Sequence, residues 1–191
     1  MARFLFKFIA VIMLLNCGQV CCMSQALDKW HYAEMAIKRM SPVAFPQLPK
    51  AIIKSLQKRG CRIPQADEIS KPHNVIRGQF ANPKQNDWAI LCSRKHNSSI
   101  LIFWNASTVS VSELAKSPDL SWMQGTGENR IGYSRAIFTA DKKDILDHSK
   151  SYGGRKPPPI NHGGIHDAFV GKASSILYLY RGKWLQLQGA D

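Results

Sequence analysis

The chain has 191 residues, with 26 Lys and Arg against 13 Asp and Glu, a formal net charge of +13. That length suits one domain with a real core, and the lack of any constant-period repeat excludes a repeat array. So strong a cation is drawn to anionic surfaces such as lipid headgroups, cell-wall polymers or nucleic acid. No dense basic run marks a specific nucleic-acid motif, however, and the tightest grouping is Lys50, Lys54, Lys58 and Arg59.

The first residues read as an address. In MARFLFKFIAVIMLLNC, Arg3 and Lys7 surround an apolar run from Phe4 to Leu15. SQA at Ser24 to Ala26 then fits the small-x-small pattern of a signal peptidase site. Residues 1–26 are therefore expected to be a secretory signal peptide and 27–191 a single α+β domain, periplasmic or secreted. The run is too short for a stable membrane span, so no transmembrane segment is expected after cleavage. Leu14-Leu15-Asn16-Cys17 has the outline of a lipid-attachment box, in which Asn16 fits poorly before the cysteine. Cleavage would remove Arg3 and Lys7 and no acid, leaving 24 cations against 13 anions, or +11.

Cys17, Cys21 and Cys22 lie in the signal region, so the domain retains Cys61 and Cys92. Two cysteines in an exported chain most simply form one disulfide. A metal or redox pair has little support, because no C-x-x-C spacing exists.

A first helix is expected from Asp28 to Met40, capped by Asp28, with Trp30, Ala33, Ile37 and Met40 at helical spacing. A second carries Pro49 in its first turn and Leu48, Ile52, Ile53 and Leu56 on one face, with Gly60 ending it. From His73 the period changes. NVIRGQF, DWAILC and SSILIFW read as strands, with turns at ANPKQN and RKHN. Ser110 and Glu113 suggest a capping box for a short helix near Leu114, ended by Ser117-Pro118. MQGTGENRIG reads as a glycine-rich loop and IGYSRAIFT as a strand. Asp141 caps a third helix with Ile145, Leu146, Ser149 and Tyr152 on one side. RKPPPINHGGIHD reads as an extended loop, since its three prolines exclude helix. SSILYLY and KWLQLQ form a hairpin about Arg181-Gly182. The expected fold is α+β: a mainly antiparallel β-sheet with N-terminal helices, one later helix and one disulfide.

Gly78-x-Phe80, a polar loop and Asp87-Trp88-Ala89-Ile90 resemble one blade motif of the FG-GAP repeats of integrin-type propellers, over residues 74–104. In that family the loop supplies several carboxylates to calcium, which prefers multiple oxygen ligands. Here only Asp87 matches, and Lys84 stands where a cation would sit. The segment is expected to be the fold element without its metal, with Asp87 capping or bracing the turn. The wider order RGCRIPQ, NVIRGQF, DWAILCS, SSILIFW, DAFVGKAS and KWLQLQGAD is similar to a group of small exported bacterial proteins of uncharacterised function. That resemblance implies export and a compact domain, and carries no activity with it.

Two sets of residues could carry function. His162 and His166 stand four apart with Asp167 adjacent, ligand types that suit zinc or copper, or acid–base chemistry. Gly163-Gly164 between them argues for a loop, where spacing does not guarantee convergence. The strand aromatics Trp104, Tyr178, Tyr180 and Trp184, beside Arg181, would make a ligand-binding surface of aromatic and cationic character if they face outward. Gly125-x-Gly127 is followed by a strand and no Lys-Ser/Thr pair, so it reads as a turn and not a phosphate loop. The expectation is an exported binding module with an envelope or extracellular partner, of a kind that the positive charge would draw if anionic, with no catalytic site, no metal and no cofactor. The alternative is a small exported hydrolase using His162, His166 and Asp167.

Overall fold

The computed structural model describes residues 29–127 and 129–189. The expected signal peptide, Cys17, Cys21, Cys22 and the expected Asp28 cap lie outside those residues.

Residues 29–35 form helix α1. The helix stops short of the expected Met40 because Arg39–Met40 form strand β1. These two residues pair antiparallel with Ile63–Pro64, strand β2. Ile37 is buried against Met123 and Tyr133, whereas Trp30 is exposed. Between β1 and β2 lies α2, Lys50–Lys58, preceded by Pro49. Its apolar face buries Ile52 and Leu56 as the spacing predicts. It ends in a Schellman motif: Cys61 N–H donates to Leu56 O at 3.0 Å and Gly60 N–H to Gln57 O at 2.9 Å. Gly60 takes φ +67°, the left-handed conformation this closure requires.

The first large sheet follows in chain order: β3 Val75–Gly78, β4 Asp87–Arg94, β5 Asn97–Phe103 and β6 Val111–Pro118. The helix expected near Leu114 is therefore a strand. The reason is tertiary: β6 pairs along β5, and the Glu113 side chain accepts from Ser99 and Arg94 instead of closing a cap on Ser110. The register of β6 slips between Ser98 and Ile100, where Ala115 takes φ 48°. Such a bulge sets two residues against one and re-aims the strand.

A short hairpin, β7 Met123–Gly125 with β8 Ile131–Tyr133, occupies the expected glycine-rich loop. The second large sheet holds β9 Arg135–Ala140, β10 Gly164–Phe169, β11 Ala173–Tyr180 and β12 Lys183–Gln188, in the order β12-β11-β10-β9. Helix α3, Lys142–Tyr152, links β9 to β10 and opens with a capping box between Asp141 and Asp144. It buries Ile145 and His148 and leaves Tyr152 exposed, so its inward face is not the one expected through Tyr152.

Alternating residues face opposite ways along a strand, and the two sheets use both faces. Ala89, Leu91, Ile100 and Ile102 of the first sheet pack against Ile137, Ile165 and Leu177 of the second. The other face of the first sheet, Ile90, Cys92, Leu101 and Phe103, is covered by Leu48, Ile52 and Leu56 around α2. The other face of the second, Ile176 and Tyr178, is covered by Ile145 of α3. The layers run α2, sheet, sheet, α3. The fold is α+β with mainly antiparallel sheet, and one disulfide joins Cys61 to Cys92 with their Cα atoms 5.4 Å apart. That bond fastens the end of α2 to β4.

Candidate functional site

The histidine set does not converge. His166 and Asp167 lie on strand β10 rather than in a loop, because β10 is held between β9 and β11. Adjacent strand residues point to opposite faces. His166 shares a face with Ile176 and Phe138, on the α3 side. Burial pushes its pKa down, with Asp144 opposing and His148 adding to the shift. Asp167 faces the other way and accepts from buried Arg135, Nε to Oδ1 at 2.9 Å and Nη2 to Oδ2 at 2.8 Å. His162 stays in the preceding loop, buried, with Nδ1 2.8 Å from Gly163 O. It lines a cavity of about 240 Å³ shared with Gly78, Phe80 and Asp141. The loop is drawn tightly to β9: a Cβ at Gly163 would stand 2.6 Å from Ala140 O. Among the described residues, no group of three His, Cys, Asp or Glu side chains could hold a metal ion.

The aromatic set also divides. Leu179 pairs with Trp184, whereas Tyr178 pairs with Leu185 and Tyr180 with Lys183, so the tyrosines and Trp184 occupy opposite faces. Trp184 stacks on Trp104 at 5.9 Å between ring centres, beside the intersheet core. Trp104 Nε1 donates to Ser112 Oγ at 2.9 Å. Tyr178 is buried on the α3 side. Arg181 lies over the Tyr180 ring at 5.3 Å. These rings chiefly pack, and no single outward surface joins all five residues.

Asp87, at the start of β4, is fully buried. Its Oδ1 accepts from Gln85 Nε2 at 2.6 Å and Asn105 N–H at 2.8 Å, and its Oδ2 from Phe80 N–H at 3.1 Å. The carboxylate thus ties the Gln79–Asn86 loop, through Phe80 and Gln85, to Asn105 after β5.

What the fold does assemble is cationic. A cleft of about 460 Å³ is lined by Arg59, Gly60, Arg94, Lys95, Asn97 and Lys116. Its four cations come from three places: the end of α2, the β4–β5 hairpin and β6. Each is placed by backbone. The Schellman closure and the disulfide set Arg59 and Gly60 against β4. Lys95 and His96 form the two-residue hairpin turn with φ 49° and 62°. His96 ties that turn down, its Nδ1 2.7 Å from Glu34 Oε2 and its carbonyl accepting from Asp119 N–H at 2.8 Å. Glu34 also holds Arg39, which reaches buried Asp119 at 2.8 Å. The β6 bulge presents Lys116, and Arg135 pins it by donating to Ala115 O at 2.7 Å.

Arg94 pairs with Glu113 at 2.7 Å, both partly exposed. The Ser99 hydroxyl, and after it Arg94, hold the Glu113 carboxyl below its usual range. Among the described residues, Arg59, Lys95 and Lys116 enter no ion pair. Lys58 and Arg59 also suit the negative end of the α2 dipole, but Lys95 and Lys116 have no such role. The sequence grouping of Lys50, Lys54, Lys58 and Arg59 reached one edge of this cleft. It missed Arg94 and Lys95, whose available signal was two cations in the RKHN turn two residues after Cys92, and Lys116, which had no local signal.

A comparison with known proteins finds no matching family model, no matching curated protein and no matching solved structure. Among the described residues, no helix is long and apolar enough to cross a membrane.

Proposed function

We propose that this protein is an exported binding module that holds an anionic group of its partner in the cleft between α2, the β4–β5 hairpin and β6. The observation that carries the reading is the gathering of four cations from three separated segments around one concavity. Scattered solubilising charge has no need of a shared, braced cleft. Burying ligand anions among several cations supplies both attraction and orientation. The disulfide supports the export reading, since such bonds persist in oxidising compartments. The leader-like residues 1–26 point the same way. No observation favours the hydrolase alternative: His166 and Asp167 face opposite sides of β10, and His162 stays in the preceding loop.

The test is elution from immobilised heparin, a generic polyanion. Lys95→Glu with Lys116→Glu is expected to elute at clearly lower salt than the native protein. Lys142→Glu with Lys143→Glu, the same charge change at exposed positions on α3, should elute close to native. An equal drop for both pairs would mean that net charge alone governs binding and would sink the proposal.

A further inference from the structure

We infer that the cleft is one end of a track for a linear phosphodiester chain, which continues along α2 over Lys50, Lys54 and Lys58. This inference rests on the anion-binding reading of the cleft. The three lysines are exposed and stand four residues apart along the helix that delivers Arg59 and Gly60 to the cleft. Residues four apart share a helix face, and each step advances about 6 Å. A phosphodiester repeat has six backbone bonds, the covalent length of two extended peptide residues, or about 7 Å. The charge spacing of helix and polymer therefore match.

Multivalency favours a chain over a lone phosphate. The cleft is far roomier than one phosphate requires, and its lysines are exposed. Exposed ion contacts are individually weak. A chain that engages several cations instead gains by releasing counterions at each contact. None of the six residues lining the cleft is aromatic, so it offers no platform for stacking bases. Recognition is of the charged backbone, whatever its phosphates link.

The experiment titrates the mature protein with oligothymidylates of increasing length, and with poly(glycerol phosphate) of matched phosphate number, at 50 and 200 mM salt. Setting aside Arg94, which is paired with Glu113, six cations (Lys50, Lys54, Lys58, Arg59, Lys95 and Lys116) predict that Kd rises a few hundred-fold between those salts, about 20-fold once three are removed. Lys50→Gln, Lys54→Gln and Lys58→Gln together supply that variant, and all three positions are solvent-exposed, so folding is undisturbed. The variant should also lose the gain of affinity with chain length. If a two-phosphate probe binds native protein as tightly as a long chain and the triple variant is unchanged, the track is overturned while the cleft stands. If neither polymer binds at 50 mM salt, the anion-binding reading falls with it. The polymer with the lower Kd identifies the source, nucleic acid or envelope polymer, and either one supports the track.

Discussion

Two arginine–carboxylate pairs in this molecule have nearly the same length and opposite uses. Arg135 meets Asp167 at 2.8 Å with side chains 0% and 4% exposed. Arg94 meets Glu113 at 2.7 Å with side chains 32% and 38% exposed. The first is sealed between the sheets and finishes its hydrogen bonding on Ser98, Ser117 and the Ala115 carbonyl, with Trp122 stacked over the guanidinium at 4.3 Å. It can only hold structure. The second lies at the edge of an open cleft beside Lys95 and Lys116, where an incoming anion can compete for the arginine. Burial, and not the contact distance, separates a structural ion pair from an available one.

The sharpest way to break that comparison is to delete one carboxylate from each pair. Asp167→Ala strands a buried guanidinium and should cost about 3–5 kcal/mol, read from urea denaturation. Glu113→Ala should cost under about 1 kcal/mol. Equal losses would show that burial is not the deciding variable.

A second cut separates the cleft from its support. The bond between Cys61 and Cys92 closes a separation of 31 residues. Cys61→Ala with Cys92→Ala should lower stability by about 3–4 kcal/mol. Measured where the variant is still folded, its heparin binding should also weaken, since the end of α2 is no longer fastened to β4. Unchanged binding would show that the helix end is held by packing alone.

A third measurement contrasts the cleft with the α3 side of the second sheet. Burial lowers the pKa of His166 from its ordinary 6.5, and does the same to His73. Asp144 opposes the shift at His166 and His148 adds to it. Lys71 O and Glu68 oppose it at His73, and Lys38 adds to it. The unfolded chain therefore binds these protons first, and stability should fall as pH drops below 6.5. His166→Gln should flatten the slope of the melting temperature between pH 7.5 and the folded-state pKa. A slope unchanged in that variant removes His166 from the account.

The smallest expected effect sharpens the role of Arg94. Glu113→Gln frees its guanidinium and should raise affinity for heparin about two- to fivefold. In the native protein the same release should come with acid. The Glu113 carboxyl is depressed, so its pairing with Arg94 is intact above the ordinary 4.5 and is lost as pH falls through its folded value. Binding of a strong-acid polyanion that strengthens there in native protein but not in Glu113→Gln would confirm the link.

Much of the fold was legible from local pattern. The apolar face of α2 and its glycine stop, the β4–β5 hairpin about RKHN, the β11–β12 hairpin with its two-residue turn, and the Asp141 cap all carry their signals within a few residues. The misassignments have a common cause. Ser110 to Glu113 mimics a capping box, and Arg39–Met40 continue a helical spacing, yet both segments found strand partners. His162 to Asp167 follows a proline run that made it look like loop, but β10 is clasped between two neighbours. A strand's stability lies in an edge supplied from elsewhere in the chain, and no local window contains it.

The same reason divides the candidate site. The sequence by itself determined the chain's excess of positive charge, the two cysteines available to pair in the domain, and the lysine stripe of α2, because each is a matter of composition or helical spacing. Only the tertiary structure decided which way the side chains face. Strand alternation turned Asp167 toward the first sheet and His166 toward the α3 side, and it set Trp184 and the tyrosines on opposite sides. A bulge, a hairpin turn and a helix stop brought Lys116, Lys95 and Arg59 around one cleft. Charge is a property of residues, but a site depends on distances between residues far apart in sequence, and those are set only when the sheets pack.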